Sequence, residues 1–525
     1  MNAPLLCFLL TFVNQVPAHS ASLNLLEGAH EKKAIFSKRK SDWRIGPVVY
    51  HIFVDRFAPS NNLERKRELY ESPRSLRSWS DLPKPGHPVP QLGLYSHELD
   101  FWGGDLESVE GKLDYIQSLK PDVVYLNPIQ AALTNHKYDA LDWAEVAPEY
   151  GTRSDVIKLA GNLHQRGMKL MLDGVFNHMG KTGPKFQSAL HDEKSPYRDW
   201  FFFGKQFPAG YRAWANVANL PEVRLESKGV RDYLWAKPDS VIQKYLHDGV
   251  DGWRLDTAYE LGPQYLYELT QAAHHAKADS VVVGEVWNYP AGWFPAMDGV
   301  MNFFARQTVL DMIDHKVSTR VAGKMLERMV EDAGIENLLK SWLILDNHDT
   351  SRIKSILPDE RQRRLAQVLH FTLPGSPVVY YGSELGMEGQ GDPGSRGPMR
   401  WELNTPQNTE LRAIKKLLAI RKANPALRIG DYMALDSDHL LAFSRQTDKA
   451  LDTMFILANP SNETVKESLS CREGRLMNGG QLRDELTGET VTSFSGIIDV
   501  TVPPLTARIY SMVNQKGYTP YKRMQ

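Results

Sequence analysis

The sequence predicts an α/β chain built on a parallel (β/α)8 barrel, with an inserted subdomain after the third strand and a C-terminal all-β sandwich. Three observations carry that prediction. Eight short apolar runs recur between about residues 48 and 381, with helical segments separating several of them. Four chemically marked stretches begin as such runs or directly follow them: Leu172-Asp173-Gly174-Val175-Phe176-Asn177-His178, Gly252-Trp253-Arg254-Leu255-Asp256, Gly284-Glu285-Val286-Trp287 and Asp346-Asn347-His348-Asp349. After about Ile429 the helical pattern gives way to short strand-like runs with turn residues between them. Alternating strand and amphipathic stretches are the pattern of repeated βα units, for which an open doubly wound sheet is the competing reading. Apolar residues drive a strand into a core, so a charge at its C-terminal end sits at a mouth. Several such ends converging on one mouth is how a barrel builds a site.

The eight strands are expected at 48–53, 122–127, 169–174, 251–256, 281–285, 299–303, 342–346 and 377–381. After Asp105, Leu106, Val109, Leu113, Ile116 and Leu119 recur at helical spacing, and Lys120-Pro121 stops the helix. Windows 154–164, 262–276 and 360–371 read the same way. A βαβ unit takes roughly 30 residues or more. Asp256 and Glu285 lie 29 positions apart, one unit, and Glu285 and Asp349 lie 64 apart, two units. Asp173 and Asp256 lie 83 apart, about 50 more than one unit of that length needs. The excess is the inserted subdomain, about 180–230, rich in aromatics, Gly and Pro and overhanging the mouth. Segment 58–100, with a Lys/Arg/Glu run and several prolines, reads as a solvated excursion after strand one. Strands of the closing domain are expected at 432–435, 439–445, 453–459, 496–502 and 507–513.

At 525 residues the chain exceeds one ordinary domain. Its 42% hydrophobic and 24% charged residues are those of a globular protein, and a net charge of −1 leaves no electrostatic footprint for nucleic acid or an anionic membrane. A neutral substrate fits better. Residues 5–13 form an apolar run too short to span a bilayer, and Ala18-His19-Ser20 before Ala21 has the small-residue character of a cleavage site, although Met1-Asn2-Ala3-Pro4 carries no Lys or Arg. The chain therefore divides into a signal peptide, 1–20, an extension, 21–45, the barrel, 46–428, and the sandwich, 429–525, in a secreted or periplasmic protein. Cys7 falls in the leader, which leaves Cys471 alone and the mature chain without an internal disulfide.

Asp256, Glu285 and Asp349 are the acids that cleavage of a glycosidic bond needs: a nucleophile, a general acid and a third charge that grips the sugar. Around them Tyr50-His51-Ile52-Phe53-Val54-Asp55-Arg56-Phe57, Phe101-Trp102-Gly103-Gly104-Asp105-Leu106, Asn135-His136-Lys137-Tyr138-Asp139 and Pro377-Val378-Val379-Tyr380-Tyr381-Gly382-Ser383-Glu384 occur in order. With these motifs the chain resembles the α-amylase family, glycoside hydrolase family thirteen, from about Val49 onward. Gly249 through Asp256, Glu260, Glu285-Val286-Trp287, Trp293 and Asp298-Gly299-Val300-Met301-Asn302 are most similar to its neopullulanase, cyclomaltodextrinase and maltogenic-amylase group. That group usually carries an N-terminal β-domain, and Ser-His-Asp where this chain has Asn347-His348-Asp349.

The resemblance implies Asp256 as nucleophile of a retaining reaction, Glu285 as acid/base and Asp349 as the acid that tightens on the distorted sugar. It implies His178 and His348 as hydrogen-bond partners of that sugar, Tyr138 as its stacking platform, and Arg254 as the group that keeps the nucleophile charged. Asp173 then fixes Arg254 and the mouth. Trp287, Trp293 and Trp102 are open between further subsites and plain packing. The chemistry needs no cofactor. A structural calcium stays open: Asn177 matches a calcium ligand of many α-amylases, but Glu260 stands where the companion His is expected, and Asp105 is the surviving candidate of a loop site, so no metal ligands are assigned. The expected substrates are maltooligosaccharides, cyclodextrins or other α-1,4-glucans, with Thr257 leaning against α-1,6 bonds. A transglycosylase or sugar isomerase on the same scaffold is the alternative, and a catalytically inactive glycan-binding relative the reading from another class. With about 25 residues between the cleavage point and strand one, too few for a β-domain, the expectation is a monomer whose cleft, shaped by 180–230 and 58–100, admits linear oligosaccharides.

Overall fold

The computed structural model describes residues 25–471 and 476–513; the expected leader with Cys7 lies outside them. Eight parallel strands close into a barrel: β1 (Val49–Ile52), β2 (Val123–Leu126), β3 (Lys169–Gly174), β4 (Gly252–Leu255), β5 (Val281–Val286), β6 (Gly299–Asn302), β7 (Trp342–Leu343) and β8 (Ser376–Tyr380). β1 pairs with both β2 and β8, so no edge is left open. Each expected strand is present, and the doubly wound alternative is excluded by this closure. The strands are buried along nearly their whole length, as near-continuous Val, Ile and Leu runs require. Inward-facing Val49, Tyr125, Met171, Val283, Met301, Trp342 and Val378 fill the barrel, while alternate residues face the surrounding helices.

Helices form where 3.6-residue periodicity meets a start signal: Arg153–Gln165 behind the Thr152/Asp155 capping box, Pro263–Ala276 with Pro at its first turn, and Glu360–Thr372 capped by the Asp359 carboxylate. The segment after Asp105 is two helices, Leu106–Glu110 and Leu113–Leu119, because Gly111-Lys112 interrupts the first. The backbone ends the second at Lys120, in the left-handed region just before Pro121.

Between β3 and β4 the chain makes a helix, Pro184–His191, and a set of short turns joined by single bridges, among them Phe201 to Val223 and His178 to Glu222. Phe186 packs edge-on against Phe201 and Tyr211, and all three join the main core.

Among the described residues after 430 come eight strands: β9 (Asp431–Ala434), β10 (Leu441–Gln446), β11 (Met454–Asn459), β12 (Val465–Ser470), β13 (Gln481–Asp484), β14 (Thr490–Thr492), β15 (Ile497–Val502) and β16 (Thr506–Met512). Six form one sheet in the order β9-β10-β11-β16-β13-β14, and β12 pairs with β15. Period-two alternation splits this sheet between two cores. Leu441, Phe443, Met454, Ile456, Ala458, Ala507 and Ile509 face the barrel's helices, and Ala442, Phe455, Leu457 and Tyr510 face β12 and β15. Two fully buried arginines tie the junction. Arg445 donates to the carbonyls of Thr372 (2.7 Å) and Gly430 (2.9 Å), and Arg421 to those of Phe371, Gly46 and Gly375. Burial among main-chain acceptors pulls both guanidinium pKa values down to about 9. The helix Leu25–Ser41 joins the same region: Phe36 packs with Ile45, Leu339 and Ile429, and Arg39 pairs with Glu336 (2.6 Å) and Asp431 (2.8 Å).

Candidate active site

β3, β4 and β5 run side by side in register, Arg254 opposite Asp173 and Val283. Their C-terminal ends therefore deliver Asp173, Asp256 and Glu285 to one place, and Arg254, two residues before Asp256, points the same way. Arg254 is fully buried and its guanidinium serves all three. Nη1 donates to Asp173 Oδ1 (2.9 Å) and Oδ2 (3.0 Å) and to Asp256 Oδ1 (3.0 Å), and Nη2 lies 2.9 Å from Glu285 Oε2. Glu285 also accepts the Thr257 amide on Oε2 (2.9 Å) and the Trp287 indole N–H on Oε1 (2.8 Å). Burial pushes the Asp256 carboxyl well above the usual carboxylate range; Arg254 opposes this, and Glu285, Asp173 and Asp349 reinforce it.

Asp349 follows β7 on the Asn347-His348-Asp349 loop. Arg396 reaches its Oδ1 (3.1 Å) and His348 Nε2 its Oδ2 (3.0 Å). Burial works against its charge, but His348, Arg396 and Arg254 together hold it below the usual range. His348 Nε2 also lies 2.7 Å from the Tyr138 hydroxyl, and the two rings are near-parallel, 9° apart with centroids at 5.3 Å. Tyr138 donates to Asp173 Oδ2 (2.8 Å), as Tyr125 does (2.6 Å). Asp173 is thus a buried anchor for Arg254, Tyr125 and Tyr138. His178 is buried against Trp214, its Nε2 has no hydrogen-bond partner, and burial lowers its pKa to about 4. A neutral imidazole with a free nitrogen is a group awaiting a partner.

These residues line one cleft of about 390 Å³, which contains Asp256, Glu285, Asp349, Tyr138, His178 and His348. Arg254 and Asp173 lie beneath it. Of the three tryptophans left open by sequence, Trp287 lines the cleft, stacked on Phe303 at 3.7 Å and half exposed. Trp102 lies buried beneath Arg56, and Trp293 packs against the main core. The cleft also holds residues that sequence reasoning did not single out: His136, Trp214, Tyr259, Asp392, Arg396 and, from the 58–100 segment, Leu94 and Glu98. That segment is therefore no plain solvated excursion, because its last turn forms part of the wall. Arg396, paired with both Asp349 and Asp392 (3.1 Å each), carried no strand-end signal in the sequence.

The Asp105 position does not fit a calcium ion, because a lysine ammonium occupies it. Asp105 is fully buried, with Oδ1 accepting the Ser108 amide (2.7 Å) and Oδ2 taken by the Lys66 ammonium (2.5 Å), which also reaches the Glu149 carbonyl (3.2 Å). The Asn177 side chain donates to Glu260 (3.2 Å), which also accepts the Trp214 indole N–H (3.0 Å). No group of three or more His, Cys, Asp or Glu arranged to hold a metal occurs among the described residues.

A closed parallel barrel with an arginine-bridged set of acids at its mouth defines a glycoside hydrolase. Residues 51–428 match the family described as "Alpha amylase, catalytic domain", and the chain belongs to that family. It is 31% identical over 452 residues to a cyclomaltodextrinase of a Bacillus species, covering 82% of this chain and 75% of that one. It is 30% identical over 489 residues to neopullulanase 2 of Thermoactinomyces vulgaris, covering 89% and 78%. Among solved structures, the cyclic α-maltosyl-(1→6)-maltose hydrolase of Arthrobacter globiformis superposes with a TM-score of 0.74 at 26% identity, covering 90% of this chain and 99% of that one. The fold, the enzyme class and the likeness to the neopullulanase group expected from sequence are borne out, and the activity is that of a retaining α-glucan hydrolase.

Proposed function

We propose that the enzyme cleaves α-1,4 bonds of maltooligosaccharides and cyclodextrins, with Asp256 as nucleophile and Glu285 as acid/base. The observation that carries this reading is the single guanidinium of Arg254 shared by Asp256 and Glu285, which supports a role for both acids at one reacting centre. Glu285, acting as general acid, gives its proton to the leaving oxygen as the Asp256 carboxylate attacks the anomeric carbon. Arg254 keeps Asp256 charged as it does so. Water then gives a proton to Glu285⁻ acting as base, attacks the glycosyl-enzyme and releases the sugar with its anomer retained. Tyr138 and His348 form a flat wall for the reacting sugar, Asp349 binds its hydroxyls more tightly as it distorts, and His178 Nε2 takes a further hydroxyl. The test is hydrolysis of maltoheptaose followed by NMR: the first product should be the α-anomer, and Asp256→Asn and Glu285→Gln should each fall by about 10³-fold or more while keeping the native melt. A β-anomer, or full activity in Asp256→Asn, overturns the assignment.

One observation favours transfer as a second outcome. Half-exposed Trp287, bonded to Glu285, offers an aromatic face on the leaving-group side, where an acceptor sugar competes with water. Products longer than the substrate at high maltotriose would establish transferase activity. The reading also includes export of a monomer, supported by the leader-like residues 1–20 and by Cys471, which is free and buried and needs no partner. N-terminal sequencing of the mature enzyme, which should begin near Ala21, and light scattering test these two points.

A further inference from the structure

Glu98 stands apart from the catalytic set, on the short turn Ser96–Leu99 that ends the 58–100 segment, and its side chain lines the cleft beside Leu94. The turn is anchored from several sides. Asn135 donates its amide to the Glu98 carbonyl (2.8 Å) and its side chain to the carbonyls of His97 (2.8 Å) and Asp100 (2.9 Å). The Gly86 amide binds His97 Nδ1 (3.0 Å), and a Cβ at Gly86 would lie only 2.5 Å from the His97 nitrogen, so the outgoing and returning limbs of the segment touch.

The Glu98 carboxyl itself is only lightly held. The Tyr95 amide donates to Oε2 (3.2 Å), and among the described residues no cation pairs with it. The charges that act on it most strongly are those of Asp139, Asp392 and Arg396. Burial, with the two aspartates, pushes its carboxyl up to about 7 against the Tyr95 amide and Arg396. At neutral pH it is then both donor and acceptor, the capacity a sugar hydroxyl needs.

The two ends of the cleft can be told apart by chemistry. The acid that protonates the leaving oxygen marks the leaving-group side, and Glu285 stands there with Trp287. Asp349, which grips the sugar to be transferred, leads through Arg396 to Asp392 and so toward Glu98. Resting on the α-glucan reading above, we propose that Glu98 is a specificity-determining residue on the non-reducing side of the cleft that hydrogen-bonds the terminal hydroxyls of a bound linear chain. The enzyme thereby favours linear chains with a free non-reducing end over chains whose end is blocked.

The test compares p-nitrophenyl maltooligosaccharides whose non-reducing end is free or blocked by a 4,6-O-ethylidene group. Wild type should favour the free-ended substrate in kcat/KM by about tenfold, the scale of one net hydrogen bond. Glu98→Ala should erase most of that preference, mainly by raising KM for the free-ended substrate, and Glu98→Gln, which keeps a donor and an acceptor, should retain it. Circular-dichroism melts confirm that the variants fold. Equal wild-type rates on both substrates, or an undiminished preference in folded Glu98→Ala, overturns the proposal. Folded wild type inert toward every one of these glucans removes the α-glucan reading, and this proposal with it.

Discussion

Replacing Arg254 with Met keeps much of the side chain's bulk and removes the one cation among Asp173, Asp256 and Glu285. The three carboxylates lie within 3.0 Å of it, and Asp173 is fully buried. Breaking a buried ion pair by deleting one partner costs about 3–5 kcal/mol, because the other charge stays behind uncompensated. The variant avoids part of that cost by binding protons, so its carboxyls titrate in the folded state well above their unfolded value of about 4. A folded-state pKa raised in this way gives stability that is fully present below the unfolded value and lost as pH rises toward the folded one. The deficit of Arg254→Met is therefore smaller at pH 5 than at pH 8. With an unfolding entropy of about 2.1 cal/mol/K per residue over the barrel, a deficit of ~4 kcal/mol lowers Tm by about 5 °C. Calorimetry at a fixed scan rate at the two pH values measures this. Activity should fall by about 10²–10³-fold, since Asp256 loses the cation that holds it charged and oriented for attack. An unchanged Tm at pH 8, or the same drop at both pH values, would refute the charge argument.

Three further outcomes follow from the same structure. His178 and His370 are buried, with pKa values of about 4, and the His370 Nε2–H donates to the Leu343 carbonyl; their stabilising effect is complete above the unfolded value near 6.5 and falls by roughly 1.4 kcal/mol per pH unit per histidine down to about 4. A melting series from pH 7.5 to 4.5 should be shallower for His370→Gln than for wild type, and parallel curves would contradict this. Because Lys66 fills the Asp105 position, EDTA and Ca²⁺ should leave the wild-type Tm unmoved, whereas Lys66→Met should lose about 3 kcal/mol by stranding a buried carboxylate; a calcium-dependent rise in wild type would show the position to be a metal site after all. A Cβ at residue 104 would lie 2.2 Å from the Val54 carbonyl and 2.9 Å from the Asp55 backbone, so Gly104→Ala should destabilise by about 1–3 kcal/mol in a urea titration.

How much was legible in the sequence depended on whether a residue's position was set locally. Asp173, Arg254, Asp256 and Glu285 sit at or just beyond the ends of apolar runs, so strand periodicity alone placed them at one mouth. The apolar run 342–346 overstates its strand, since only Trp342–Leu343 is paired and the rest is buried irregular chain approaching Asp349. Arg396, Asp392, Glu98 and Trp214 come from loops whose paths are set by distant contacts, such as Asn135 against the 96–100 turn, and no local pattern marks them. In the closing domain β12, β13 and β14 carry no strand signal because each is short or mostly polar, as Val465–Ser470 is with only Val465 and Leu469 apolar.

The shared face of the C-terminal sheet bears on how this enzyme can be taken apart or recombined. Phe443, Ile456 and Ile509 belong to the same continuous core as the barrel's helices, and the Arg421 and Arg445 guanidinium groups find their acceptors among carbonyls around residues 371–375 and 430. A cut near residue 428 would strip that core along one flank and leave Arg421 half-solvated at a raw surface. The sheet is a splint set against the barrel rather than a passenger behind it. Chimeras that exchange it should fail unless the inward face of β10, β11 and β16 travels with the helix Glu360–Thr372 it covers.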